Sequence, residues 1–127
     1  MQTLLDKNIS IHDTQESFFH GFVLGLLVHL NATHFVQSNR ESGRGRCDVL
    51  ITPKDKSKAG VVIEFKVANK LRKEKIEAAL ESAMGQIETR DYATQLQTQG
   101  IQSVRLVALA FANKTVRAQV KVLDLLR

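Results

Sequence analysis

The run Val61-Val62-Ile63-Glu64-Phe65-Lys66-Val67-Ala68 decides how the rest of the chain is read. Its apolar residues fall at odd and even positions alike, which predicts a strand covered on both faces. Glu64 and Lys66 interrupt the run two residues apart, and strand positions i and i+2 project from the same face. A carboxylate and an ammonium in a buried element are costly to desolvate, so their presence there asks for a task or for partners. Sixteen residues before Glu64, Asp48 opens a second apolar run, Asp48-Val49-Leu50-Ile51. If the two strands pair, Asp48 reaches the same patch as Glu64 and Lys66.

Outward from these strands, the pattern alternates between helical and extended spacing. Residues 1–12 carry little pattern and read as a lead-in to a single domain over 1–127. Asp13 with Glu16 three residues on has the form of a capping box and predicts a helix start. The stripe Phe18, Phe19, Phe22, Val23, Leu26, Leu27, Leu30 continues that helix to Asn31. Gly21 and Gly25, four apart on one face, leave room for another element to approach. Residues 34–38 form a weak strand candidate, followed by a polar turn with two glycines over 39–46. Residues 46–52 are predicted as the next strand, closed by Pro53, and 60–68 as the central one. Residues 71–88 return to helical spacing, with Ile76, Ala79, Leu80, Ala83, Met84 and Ile87 recurring at three and four, and a second helical segment over 89–98 ends at Gly100. Residues 104–111 are a strongly apolar strand. After the Asn113-Lys114 turn signal, Val116, Ala118, Val120 and Val122 alternate as a half-exposed final strand. The expected order is α-β-β-β-α-β-β, an α/β domain with a mixed central sheet flanked by helices.

Composition narrows the class. The chain has 127 residues, 43% of them hydrophobic, which suits one folded domain. No apolar stretch approaches the roughly 18–20 residues of a membrane span. The N-terminus lacks a signal-peptide pattern, and Cys47 is the single cysteine, so no internal disulfide forms. A cytoplasmic location without membrane attachment is the expectation. Between Arg40 and Lys75 lie eleven basic and five acidic residues, a net +6, whereas the other 91 residues sum to −1. A basic rim around an acidic centre suits a polyanion approaching a metal ion. Lys54, Lys56 and Lys58 read equally well as solvated turn residues.

The residue types at the centre point to phosphodiester chemistry. Hard divalent cations take oxygen ligands, commonly one or two carboxylates completed by waters and substrate phosphate. Asp48 and Glu64 fit that scheme, with a strand carbonyl such as that of Phe65 as a third ligand. Lys66 is placed to position the attacking water and to stabilise charge developing on phosphorus. Arg40, Arg44 and Arg46 flank Asp48 and, with Lys70, are the candidate DNA-binding residues, and Gly43 and Gly45 let that loop approach a backbone. Tyr92 reads more readily as core packing than as a site residue.

The pattern resembles the PD-(D/E)XK nuclease superfamily, whose signature is an Asp at the start of the second core strand and a Glu-x-Lys on the third. The segments Glu16-Ser17-Phe18-Phe19-His20-Gly21-Phe22, Ser38-Asn39-Arg40-Glu41-Ser42-Gly43-x-Gly45-Arg46-x-Asp48, Ile63-Glu64-Phe65-Lys66 and Ala83-x-x-Gln86-Ile87-x-x-x-x-Tyr92 are similar to the nuclease-like domain found C-terminal in AAA-ATPase-like proteins. The resemblance implies a restriction-endonuclease-like fold and a Mg²⁺- or Mn²⁺-dependent deoxyribonuclease, an endonuclease with little sequence specificity. It implies Asp48 and Glu64 as metal ligands, Lys66 as the catalytic lysine, and Gln86 and Glu16 as further site residues. It also implies DNA as partner, a homodimer where both strands are cut, and an ATPase-like domain in longer relatives. The proline of the signature's name is replaced here by Cys47, and no G-x-x-x-x-G-K-[ST] motif occurs. The alternative is a non-catalytic nucleic-acid-binding or assembly module that keeps the nuclease fold. Hydrolysis of RNA or of a nucleotide is a third reading.

The basic rim yields a direct expectation. Neutralising Arg40, Arg44 or Arg46 singly should weaken DNA binding and make the dependence of log K on log salt shallower by about one unit. Affinity titrations across a salt series check this, and an affinity that ignores salt would show that the rim is not the binding surface.

Overall fold

The computed structural model describes residues 11–41, 46–67, 75–90, 92–112 and 115–125, without the side chains of 11–17, 39–41, 46–47, 67 and 90. Its elements are α1 (Ile11–Leu30), β1 (His34–Glu41), β2 (Arg46–Pro53), β3 (Gly60–Val67), α2 (Ile76–Arg90), α3 (Tyr92–Thr98), β4 (Ser103–Ala112) and β5 (Thr115–Asp124). The five strands form one sheet in the order β1-β2-β3-β4-β5. All neighbours are antiparallel except β3 and β4, which run parallel. A parallel pair needs a crossover, and α2 with α3 supplies it. This is the mixed, helix-flanked sheet expected from the sequence.

Strand alternation sorts the core into two layers. Val49, Ile51, Ile63 and Phe65 face α1, where they pack with Phe19 and with the partly buried Phe22, Val23, Leu26 and Leu30. Phe65 lies at the centre of an aromatic group, with ring centroids 5.1 Å from Phe19 and 5.4 Å from Phe22. Leu50, Val62, Leu106 and Ala108 face the other way and pack with Ala83, Met84 and Ile87 of α2 and Leu96 of α3. Phe65, Val62 and Leu96 are all but fully buried. Fully burying an aliphatic or phenylalanine side chain contributes about 1.5–3 kcal/mol, which is why the sheet's two faces fix its register.

Four details differ from the sequence reading. Asp13 lies inside α1, which already runs from Ile11, so it is not where the helix begins. A Cβ added to Gly21 or Gly25 meets nothing within 4 Å among the described residues, so no element approaches there. The helical stripe is narrower than its spacing suggested, since Phe18 and Leu27 lie at its margins and remain exposed. β5 is exposed on both faces over 115–122, where one covered face was expected. Its position explains this: β5 is the sheet edge, where only Leu123 near its end packs against the α2-side core among the described residues, and α2 reaches the rest through exposed ion pairs such as Lys121 Nζ to Glu88 Oε2 at 2.8 Å. At the end of α3, Gly100 takes a φ of 91°, a conformation that glycine adopts without strain.

Candidate active site

The site is built by the pairing of β2 with β3. Asp48 and Glu64 are direct partners across that antiparallel ladder. Opposite residues in such a pair have Cβ atoms about 4.5–5.5 Å apart on one face, and like charges placed so are destabilising. Asp48 retains 2% exposure and Glu64 none. The two carboxylates belong to the α2 face, because Leu50 and Val62, each two residues away, pack against α2. Two adjacent buried carboxylates call for compensating positive charge or a proton.

Lys66 lies two residues beyond Glu64 on that face and is partly buried. Its Nζ donates to Ser82 Oγ of α2 at 2.5 Å. Tyr92, the first residue of α3, donates its hydroxyl to Asp48 Oδ2 at 2.9 Å. The crossover helices therefore fix one charged group on each strand, α2 holding Lys66 and α3 holding Asp48. Gln86 lies four residues after Ser82, about 6 Å along α2. Because α2 runs back against β3, that step brings it towards the level of Glu64, about 6.6 Å before Lys66 on the strand. Gln86 Oε1 is buried and has no hydrogen-bond partner among the described residues. A buried acceptor of this kind normally has a partner.

The remaining candidates are distributed as follows. Phe65 turns its ring to α1, while its carbonyl lies in the plane of the sheet between Glu64 and Lys66. Glu16 stands in the N-terminal half of α1, whose Phe18 and Phe19 pack on Phe65, so it is at the Lys66 end of the sheet on the opposite face. Its side chain is outside the described residues, as are those of Arg40 and Arg46 near the open end of the β1–β2 pair. Arg44 and Lys70 fall outside the described residues altogether. Gln86, a site residue implied by the resemblance, has its acceptor atom buried.

Two site residues escape a reading of the sequence alone. Tyr92 does pack against the α2-side core, as its apolar neighbours suggested, but it also spends its hydroxyl on Asp48. The signal was available, since a buried tyrosine hydroxyl needs a hydrogen-bond partner. Ser82 gave no signal, being a small polar residue at an unremarked helix position.

The donor set suits a hard divalent cation. Among the described residues no group of three or more His, Cys, Asp or Glu side chains stands together. Two carboxylates with a carbonyl oxygen and open positions are what Mg²⁺ accepts, keeping several waters. The buried Gln86 oxygen is a further acceptor on α2, one turn beyond Ser82.

Comparison with known proteins agrees with this geometry. A family model described as the PD-(D/E)XK nuclease superfamily matches residues 14–121, which span all eight elements at least in part. No curated protein matches the chain, and no solved structure matches it.

The Tyr92 contact can be tested without any substrate. Tyr92→Phe keeps the ring and removes only the hydroxyl, leaving a buried carboxylate short of one donor. Urea unfolding should show a loss of about 1–3 kcal/mol. An unchanged midpoint would mean that Tyr92 contributes through packing alone.

Proposed function

The chain belongs to the PD-(D/E)XK nuclease superfamily, and from that premise we propose that it hydrolyses DNA phosphodiester bonds with a divalent cation, Mg²⁺ or Mn²⁺. The observation that carries this reading is the register pairing of Asp48 with Glu64, both buried, with Lys66 on the same face. Asp48 and Glu64 would hold the cation, and the Phe65 carbonyl would complete the protein's share of its ligands. When bound, the cation supplies charge that acidifies an attacking water and offsets the phosphate.

The chain's own residues then have separable roles. Tyr92 keeps the Asp48 carboxylate turned to its position by donating to Oδ2. Orienting contacts of this kind are worth about 10–100-fold in metal affinity or activity. Lys66, held by Ser82, directs its ammonium at the water and at the phosphate oxygens, where charge accumulates as the bond to the leaving oxygen breaks. Gln86 would offer its amide to the substrate or the water. Glu16 would add a carboxylate at the Lys66 end of the sheet. Contacts from a basic rim to backbone phosphates position a strand without reading bases, so little sequence preference is expected. A nuclease-like domain serving an ATPase partner in longer relatives is compatible with the same chemistry.

The decisive variants are Glu64→Ala and Lys66→Ala. Each removes a charge from a crowded polar patch and opens no large apolar cavity, so both proteins should fold. Both should lose cleavage of linear, circular, single-stranded and branched DNA, with the losses equal to those caused by chelating the cation. DNA binding should survive Glu64→Ala and tighten modestly, since a negative charge facing phosphate is gone. An unmodified protein that binds DNA with Mg²⁺ or Mn²⁺ and cuts none of the four forms would transfer the assignment to a non-catalytic binding module.

A further inference from the structure

The strongest unassigned feature lies on the same sheet face as the carboxylates, at the other end of the β1–β2 pair. Phe35 pairs with Thr52, and Asn39 pairs with Asp48. Phe35, Gln37 and Asn39 alternate with Val36, which packs into the α1-side cluster. The Phe35 ring therefore faces the Asp48 side of the sheet. Four residues of strand, about 13 Å, separate it from Asp48. α2 lies against β3, β4 and β5, and Phe35 and Gln37 are left exposed. Phe35 is 59% exposed, the most exposed phenylalanine among the described residues.

This ring is set in positive charge. Lys54 Nζ lies 5.1 Å from the Phe35 centroid and donates to the Asn31 carbonyl at 3.1 Å. An ammonium so anchored keeps two of its three protons for other acceptors. Lys56 and Lys58 follow in the same exposed turn. Asp55, the one acid there, is tied into the turn by Ser57, whose Oγ donates at 2.7 Å and whose amide donates at 3.0 Å. The Ser57 hydroxyl first, its amide second and Lys58 last hold the Asp55 carboxyl below its ordinary value. The turn thus presents a net positive charge beside an exposed ring, and a cleft of about 460 Å³ opens across the β1 edge, lined by Leu27 and Val36 on the α1 side and by Phe35, Thr52, Lys54 and Gln99.

An aromatic face beside lysines is the chemistry that takes an unpaired base with its phosphate, because a base in a duplex already has both faces stacked. We propose that Phe35 and the lysines of residues 54–58 form a platform for an unpaired nucleotide of the substrate, on the face that carries Asp48 and Glu64. At about 3.4 Å of rise per stacked nucleotide, 13 Å places that nucleotide about four positions from the phosphate at Asp48. The proposal rests on the nuclease reading for the identity of the strand, and it narrows the substrate class to DNA with a single-stranded segment. It also gives the three lysines a role beyond that of solvated turn residues.

The chain contains no tryptophan, so Phe35→Trp introduces a single fluorescent reporter. Binding of a short single-stranded DNA and of the matched blunt duplex is measured in chelator, where no cleavage occurs. Stacking of one base on an aromatic ring corresponds to about 5- to 150-fold in affinity. Phe35→Ala should therefore bind the single strand about tenfold or more weakly, with the duplex affected less than twofold. Phe35→Trp should retain the affinity, and its emission should be quenched by the single strand. Phe35 is exposed, so both variants should fold, and a thermal melt of each verifies it. Equal binding by Phe35→Ala and the unmodified protein, an equal loss for both DNA forms, or an unquenched Trp at saturation would each overturn the platform. None of these results bears on cleavage, which is read separately through Glu64 and Lys66.

Discussion

The register between β2 and β3 is the constraint on which the site depends. It sets Asp48 opposite Glu64 inside a sheet whose surrounding positions are apolar. A slip of β2 by one residue would move Leu50 out of the α2-side core and turn Asp48 to the α1 side, away from Glu64. The hydrophobic pattern therefore enforces what electrostatics alone would oppose. Packing of Leu50, Val62, Leu106 and Ala108 on one side, and of Val49, Ile51, Ile63 and Phe65 on the other, holds the two carboxylates together. Under the proposed function, a bound cation would supply the compensating charge that two adjacent buried carboxylates call for.

The two faces of the sheet divide the labour. The α1 face is apolar and aromatic around Phe65 and serves stability. The α2 face changes character along the strands. It is apolar where Leu96, Ile101 and Val104 meet, and polar where Asp48, Glu64, Lys66, Ser82, Gln86 and Tyr92 converge. The parallel β3–β4 pair makes this possible, because its crossover lays α2 and α3 over the face that carries the charged residues. Each crossover helix contributes one orienting hydrogen bond. On the part of the face that the helices leave open, β1 lines a path from Asp48 to Phe35.

Much of this was legible in the sequence, for identifiable reasons. The apolar runs around Asp48 and Glu64 predicted both strands, and the two-residue spacing of Glu64 and Lys66 predicted their shared face, which Asp48 joins through the pairing of β2 with β3. A helix over 71–88 followed from its spacing, and the described residues place it at Ile76–Arg90; Gly100 marked the end of the next. The lost ground lay in side-chain partners and in coverage. Nothing in the spacing of Ser82 indicates that it would meet Lys66. Tyr92 joined Asp48 across 44 residues of chain, a contact that depends on how α3 folds back. The alternation in β5 was correct as a strand pattern, yet it could not reveal that residues 115–122 of that edge would stay exposed on both faces. Phe35 was hidden in a weak strand candidate, and its exposure came from the reach of α2, which periodicity does not encode.

The claim that Asp48 and Glu64 form a cation seat is tested most directly by thermal unfolding with and without Mn²⁺, free of any substrate. A cation that binds only the native state stabilises it by about 2.7 kcal/mol at 100 times its dissociation constant. The expected result is a rise in melting temperature that saturates with Mn²⁺ in the unmodified protein and is absent in Glu64→Gln, which itself melts no lower than the unmodified protein without metal, because one of two facing charges is gone. A melting temperature that Mn²⁺ leaves unchanged, or raises equally in Glu64→Gln, would contradict a cation seat at this carboxylate pair.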